Sequence, residues 1–308
     1  MNFKTLFLVT SLFFLGGCKL SEKIPRTKLI HSEVNNKIAP VFENNITSSH
    51  TNLDTAEAQV LKSALRLMYG SEDTEYDFSD GRYRVRWKPS IHEKRILGFD
   101  PNFVEAESKI ILNYFYEKYN NRKLIILTET VHWKNNRSNR SWLCRLCGAP
   151  IGGAVFSVSE SGHILEFDNY KLDLAHVGFQ RAIDNAKIID LGPQQKGVMF
   201  QYTKTSLGYE HTFLTIVADV YSQMEVVFSE IIGHNNTGSP LPGVREKKFW
   251  KHSSEIKFEE GDNSDYYDLI LETSGTRYIP ETDSVSDEFR EVKRFVFNEN
   301  KLEYRLRQ

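Results

Sequence analysis

From residue 151 to its end, the sequence is a succession of short apolar runs separated by turn residues, and this pattern restricts the fold more than any other feature. The predicted strands lie near 153–159, 163–170, 187–191, 197–203, 209–220, 223–232, 247–259, 265–273, 289–297 and 301–307. Connections this short favour antiparallel neighbours, because a parallel pair needs a crossover of about a dozen residues or more. The sequence therefore predicts a dominant antiparallel β meander, arranged as a sandwich, an open barrel or a large curved sheet.

Two short N-terminal helices are predicted before this meander, which makes the expected fold class α+β. The first is expected at 55–69, where Asp54 and Glu57 match a capping box and apolar residues follow at helical spacing. The second is expected to begin at Asp100 and to run to Asn120. Its apolar stripe would consist of Phe103, Ala106, Ile110, Ile111, Tyr114 and Phe115. The globular body would span 53–308, with a helix and strand part at 53–133 and a β-rich part at 149–308.

The first residues have the pattern of an export signal. Lys4 supplies a positive charge, and the apolar stretch 6–14 has the length of a signal peptide but is too short to span a bilayer. The next four residues, Leu15-Gly16-Gly17-Cys18, resemble the lipobox of bacterial lipoproteins. This resemblance implies cleavage before Cys18 and acylation of Cys18, so that 1–17 is the signal peptide. The alternative is an ordinary cleaved signal in which the cysteine is incidental.

The lipobox resemblance implies a place in the bacterial cell envelope, where the acyl chains would anchor the protein to a membrane. In a host with two membranes, Lys19 after the acylated residue implies the outer membrane. Residues 19–52 are polar, with scattered aliphatic residues and no sustained period. The segment 18–52 is therefore predicted to be the acylated cysteine followed by a flexible tether.

The charge balance argues against nucleic acid as a partner. The chain has 39 basic and 41 acidic side chains and a net charge of −2, so it lacks the overall positive charge that attracts phosphates. One local exception is the basic stripe Arg82, Arg84, Arg86 and Lys88, which alternates with Tyr83, Val85 and Trp87. The stripe is interpreted either as the solvated face of a half-buried strand or as an interface for an anionic glycan or an acidic protein.

Cys144 and Cys147 form a C-x-x-C sequence, a spacing that three chemistries share. A structural disulfide is favoured if the domain folds outside the cytoplasm. A thiol-disulfide oxidoreductase would use Cys144 as nucleophile and Cys147 to resolve the mixed disulfide, but the glycine- and proline-containing sequence that follows is a poor helix start. A zinc site would need further ligands, for which His132 and His163 are the candidates.

A second resemblance involves the body of the chain. A predicted helix, an apolar strand, the C-x-x-C with small residues after it, and a β-rich half follow one another over about 100–220. This order resembles bacterial envelope lipoproteins that contain a C-x-x-C. Those proteins often have histidine after the first cysteine, where this chain has Arg145. The resemblance implies an envelope location and no particular activity.

Sequences typical of common enzymes do not occur: G-x-S-x-G, H-E-x-x-H, the Walker motif and G-x-G-x-x-G are all missing. We therefore expect no cofactor. The first hypothesis is a lipid-anchored, non-enzymatic binding or structural protein whose partner is an envelope protein or a glycan, with an immunity or inhibitor role as one form of it. The alternatives are an envelope thiol-disulfide oxidoreductase and a metal-binding envelope protein.

Overall fold

The fold is described by a computed structural model, which covers residues 56–70, 75–79, 82–99, 105–133, 149–161, 163–167, 170–177, 183, 186–206, 209–236, 249–262, 265–279 and 282–307. Most of these residues lie in antiparallel strands, which confirms the predicted predominance of antiparallel β structure. The elements are α1 (Ala56–Tyr69), β1 (Glu75–Ser79), β2 (Arg82–Trp87), α2 (Ile91–Ile96), β3 (Glu105–Lys118), β4 (Asn121–Trp133), β5 (Ala149–Val158), β6 (Ile164–Glu166), β7 (Tyr170–Val177), β8 (Lys187–Asp190), β9 (Lys196–Ser206), β10 (Tyr209–Val220), β11 (Gln223–Asn235), β12 (Lys251–Glu259), β13 (Asp268–Ile279), β14 (Ser284–Asn298) and β15 (Glu303–Leu306).

The strands form two open sheets. Sheet A has the order β1-β2-β3-β4-β5-β6, with β7 paired to β5, and sheet B runs from β8 to β15 in chain order. Almost every strand therefore pairs with the strand before it along the chain. The described strands of neither sheet close into a barrel, so the expected antiparallel meander is found as two open sheets.

The core has three parts, because both sheets are apolar on two faces. Helix α1 covers one face of sheet A, where Leu65 shares a cluster with Phe156. The other face of sheet A packs against sheet B through a cluster that includes Leu127 and Phe200. Sheet B also curves upon itself, since β11 contacts β15 and the ring of Phe228 meets that of Phe295 at 5.0 Å. Sheet A is therefore the middle layer between α1 and sheet B.

The prediction of a helix at 55–69 is confirmed by α1. Its buried residues include Val60, Leu61, Ala64 and Leu65, which recur at helical spacing and face sheet A. The helix ends at Tyr69. The next residue, Gly70, has a φ of 82°, which suits a residue without a side chain, and its N–H donates to the carbonyl of Arg66 at 2.9 Å.

The prediction of a second helix up to Asn120 is wrong, because 105–118 forms strand β3. A bulge at Ile111 interrupts the pairing of β3 with β4 between Ile110 and Leu112. The extra residue shifts the alternation, so that Ile110 faces the α1 side whereas Leu112 faces sheet B. Both faces of β3 carry apolar residues, and the bulge changes which positions face which side. The resulting sequence has the same spacing of apolar residues as one face of a helix. The two helices are therefore not an N-terminal pair.

The second helix is instead α2, which the sequence analysis missed because it is only six residues long. A capping box starts it: the Ser90 N–H donates to Glu93 Oε2 at 2.6 Å, and the Glu93 N–H donates to Ser90 Oγ at 3.3 Å. None of the helices in the described part of the chain is long and apolar enough to cross a membrane.

Candidate functional site

Three of the nine site residues predicted from sequence lie outside the described part of the chain. This applies to the lipidation residue Cys18 and to the C-x-x-C residues Cys144 and Cys147. The backbone of His132 belongs to β4, but its side chain is outside the described residues, and His163 is an exposed residue just before β6. The lipidation, disulfide, redox and zinc interpretations therefore stay predictions.

The basic stripe is placed on β2 as the alternation predicts. Tyr83, Val85 and Trp87 are buried, and Arg84 and Arg86 are half-buried on the other face. Both of these guanidinium groups lie near one carboxylate of β3, Glu107, at 3.5 and 3.6 Å. The side chain of Arg82 is outside the described residues, and Lys88 is exposed. Part of the stripe's positive charge is thus balanced by the neighbouring strand.

A pocket of about 410 Å³ lies where the ends of several hairpins meet. Its walls come from Tyr119 of the β3–β4 turn, the β10–β11 turn at Tyr221-Ser222, the segment 265–266, Gln195, and residues of β14 and the turn that follows it. Both sheets contribute, so the pocket depends on their packing. Its volume is in the range of sites that hold small ligands.

A buried ion pair forms the floor of the pocket. Lys118 Nζ lies 3.2 Å from Asp219 Oδ2 and donates to the Asp219 carbonyl at 2.9 Å. The Tyr116 hydroxyl donates to the same carboxylate at 2.7 Å, and the Ser222 N–H donates to Asp219 Oδ1 at 2.9 Å. Asp219 is 1% exposed, and burial together with this carboxylate raises the pKa of Tyr116. The group joins β3 of sheet A to β10 of sheet B.

A second buried lysine lies beside this ion pair. Lys123 is 7% exposed, and its ammonium donates to Ser157 Oγ at 2.7 Å and to Ser222 Oγ at 3.1 Å. Ser222 therefore contacts both groups, through its backbone and through its hydroxyl. The pocket thus contains two ammonium groups: that of Lys118 is paired with a carboxylate, and that of Lys123 donates to two hydroxyl groups.

Two exposed tyrosines stand at the rim of the pocket in an unfavourable backbone conformation. Tyr119 and Asn120 have φ values of 50° and 62°, and Tyr221 and Ser222 have values of 52° and 64°. Two-residue hairpins of this kind prefer asparagine, aspartate or glycine, because a bulky side chain at positive φ is strained. The tyrosines are nevertheless 59% and 77% exposed, so core packing does not account for them. Backbone strain of this kind is often retained at functional sites, and here it occurs in two of the turns that line the pocket.

The remaining walls mix an aromatic stack with polar groups. Tyr266 is stacked on Phe297, with ring centroids 3.7 Å apart, and burial together with the charge of Asp219 raises its pKa. Gln195 Nε2 donates to the Tyr119 hydroxyl at 3.3 Å and so helps to orient that ring. Asp265, Glu299 and Asn121 also line the pocket. The pocket can therefore offer aromatic faces together with both donors and acceptors of hydrogen bonds.

Away from the pocket, three histidines form a row across consecutive strands of sheet B. His211 of β10 is paired with His234 of β11, which is paired with His252 of β12. The row continues to Lys204 of β9 on one side and to Gly275 of β13 on the other. Paired residues on neighbouring strands point to the same face, so the three imidazoles meet although 41 positions separate the first from the last.

The imidazole rings are in contact with one another and with Trp250. The ring centroids of His211 and His234 are 3.8 Å apart, and those of His234 and Trp250 are 4.3 Å apart. Burial, followed by the neighbouring His211 and His252, lowers the pKa of His234 to about 4. Burial also lowers the pKa of His252. The charged groups that act on His252 are Arg277, Glu291 and Lys293, and Lys204 is the strand partner of His211.

Lowering the pH from 6.5 to 4 is expected to reduce the free energy of unfolding through His234. Its pKa is about 4 in the folded protein against an ordinary value of 6.5, so the unfolded chain binds more protons between these values. The contribution of His234 to the free energy of unfolding is therefore complete above pH 6.5, and it is lost as the pH falls towards 4. Urea unfolding at a series of pH values measures this loss. The free energy of unfolding of His234→Phe should change less with pH than that of the wild type. His176→Gln, at a half-exposed histidine of β7, is the control, and equal slopes for His234→Phe and the wild type would contradict the prediction.

Neither the pocket nor the histidine row was among the candidates from sequence. The residues of each come from strands that are distant along the chain, and no fixed spacing marks them. The only available signal for the pocket was the two-residue gap between the predicted strands 209–220 and 223–232, which places Tyr221 and Ser222 in a tight turn.

The chain was also compared with known proteins. Comparisons with protein-family models, with curated proteins and with solved structures find no match.

Proposed function

We propose that this protein is a lipid-anchored, non-enzymatic binding protein of the bacterial cell envelope, and that the pocket between the hairpin ends binds a glycan. The observation that carries the proposal is the pair of strained, exposed tyrosines, Tyr119 and Tyr221, at the rim of a pocket that contains two buried lysines. The lipobox pattern at Cys18 supports the envelope location.

The chemistry of the pocket fits a sugar better than a purely apolar or strongly charged ligand. A sugar ring has apolar C–H faces that pack on aromatic rings, and its hydroxyl groups both donate and accept hydrogen bonds. Tyr119 and Tyr221 supply rings at the rim, and the lysines and carboxylates supply charge-assisted donors and acceptors inside. Because charges of both signs line the pocket, a hydroxyl-rich ligand can be satisfied without a net charge of its own.

The proposed lipid anchor would place the pocket near the glycans of the envelope. An acylated Cys18 followed by the segment 19–52 would hold the body near a membrane and leave the pocket free to meet glycans of the envelope. The C-x-x-C pair would then serve as a structural disulfide in an oxidising compartment.

Replacing either rim tyrosine with asparagine is expected to weaken glycan binding while preserving the fold. Asparagine suits the positive φ of these turns, so Tyr119→Asn and Tyr221→Asn should leave stability equal or slightly higher. Loss of the ring should weaken binding by about tenfold, since a buried aromatic contact is worth about 1.5 kcal/mol or more. The measurement is calorimetric titration of the full chain in detergent with oligosaccharides released from the cell wall and surface polysaccharides of the producing cells.

The control variants are Tyr119→Phe and Tyr221→Phe, which keep the ring and should retain most of the affinity. Thermal unfolding of all four variants separates binding from stability. If no released oligosaccharide binds the wild-type chain, or if the asparagine variants bind as well as the wild type, glycan binding at this pocket is refuted. A pull-down that recovers only a protein, and loses it with the asparagine variants, would assign the pocket to a protein partner instead.

A further inference from the structure

The charged groups of the pocket are separated by depth. Lys118 and Asp219 form a buried ion pair at the floor, and the buried Lys123 donates to two hydroxyl groups beside it. Asp265 and Glu299 also line the pocket, and both are exposed. Among the described lining residues, three carboxylates therefore meet two ammonium groups, and the exposed charged side chains are both carboxylates.

The exposed part of the lining also carries two aromatic rings, those of Tyr119 and Tyr221. An aromatic ring attracts a cation that lies over its face, and the attraction grows as the cation loses its water. A carboxylate attracts the same cation and accepts its hydrogen bonds. Exposed rings and exposed carboxylates around one cavity thus favour a ligand that has a positively charged hydrogen-bond donor.

The wall residue Tyr266 experiences the negative charge of the pocket. Burial is the largest cause of its raised pKa, and the charges of Asp219 and Asp265 contribute to it. One carboxylate of the floor and one exposed carboxylate therefore both act on the same hydroxyl group. Because a cleft with low-dielectric walls concentrates such a field, a cation in the pocket would be attracted by both.

From this arrangement we propose that the glycan bound in the pocket carries a free amino group, so that the ligand is an amino sugar in its unacetylated, protonated form. This inference rests on the proposed function, because it specifies the chemistry of the glycan at the same site. The ammonium group would contact the rim tyrosines and the carboxylates of Asp265 and Glu299. A carboxylate has about four lone-pair sites, so contacts within the protein still allow it to accept from a ligand.

The test is calorimetric titration of the full chain in detergent with one preparation of oligosaccharides released from the producing cells, used untreated and after treatment with acetic anhydride. In aqueous bicarbonate this reagent converts free amines into uncharged amides and leaves the hydroxyl groups and the linkages unchanged. We expect acetylation to weaken binding by about tenfold at mildly acidic pH, because the sugar loses its ammonium group. Added salt should reduce this difference, since it screens charges near the surface.

Asp265→Asn and Glu299→Gln keep the shape of each side chain and remove its charge. Each variant should bind the untreated oligosaccharides about threefold more weakly than the wild type and should respond less to their acetylation. The control is Glu288→Gln, which removes the charge of an exposed residue of β14 outside the pocket lining and should stay within about twofold of the wild type. Thermal unfolding establishes that each variant is folded.

Equal binding of the untreated and the acetylated preparation by the wild type would overturn the free-amine inference and leave the glycan proposal in place. A response to acetylation that persists unchanged in both carboxylate variants would also overturn it. Displacement of the untreated oligosaccharides by an equal concentration of putrescine, a diamine without a sugar ring, would show that the rim binds cations in general and that the inference is wrong. If the wild type does not bind the untreated preparation, the glycan proposal itself is refuted, and this inference with it.

Discussion

Asp219→Ala is expected to lower the free energy of unfolding by about 3–5 kcal/mol, because it leaves the buried ammonium of Lys118 without its carboxylate. The same change removes the acceptors of the Tyr116 hydroxyl and of the Ser222 N–H. Lys118 is only 9% exposed, so its ammonium depends on protein partners more than on water. Urea unfolding of the wild type and of the variant measures the difference.

The matched control for this prediction is Asp190→Ala. Asp190 forms an ion pair with Lys196, but its side chain is 58% exposed, so we expect a loss of about 0–1 kcal/mol. Replacing both buried partners, as in Lys118→Met with Asp219→Leu, should recover much of the stability, since no buried charge is then left unpaired. If Asp219→Ala costs no more than Asp190→Ala, the Lys118–Asp219 pair does not stabilise the contact between the sheets.

Cys18→Ser is expected to convert the protein from a membrane-bound to a soluble form. Serine cannot carry the thioether-linked acyl chains that the lipobox resemblance implies, and without them only the polar segment 19–52 would precede the body. The measurement is fractionation of cells into membrane and soluble fractions, combined with mass spectrometry of the N-terminal peptide. The wild-type peptide should begin at acylated Cys18.

The control for the anchor is Cys144→Ser, which changes a cysteine of the body and should leave the protein in the membrane fraction. An intact Met1 on wild-type protein, or wild-type protein that lacks acyl chains and fractionates with the soluble proteins, would refute lipidation. That outcome would also remove the main reason for preferring a disulfide between Cys144 and Cys147.

Much of the strand pattern could be predicted from sequence because apolar runs and tight turns are local signals. Strand β10 coincides with the predicted 209–220, and β11 begins at the predicted 223. The prediction failed at β3, where both faces are buried and a bulge shifts the alternation at Ile111. Periodicity alone cannot separate this arrangement from a helix.

The candidate sites could not be predicted because they depend on register and on the packing of the two sheets. The pairing of His211 with His234 follows from bulges in β11 that change the alignment of the strands, and no sequence signal marks those bulges. The contact between Lys118 and Asp219 joins residues of different sheets. Single-sequence patterns carry no information about such contacts.

The chain-order arrangement of the strands has a consequence for how the protein reaches its native state. Sheet B runs without interruption from β8 to β15, so each strand finds its partner immediately upstream. Such a topology has a low contact order for an all-antiparallel protein, which favours rapid folding. We propose that the chain emerges from a translocation channel N-terminus first. It could then add one hairpin at a time, so that few unpaired strand edges would be exposed before their partner strands leave the channel.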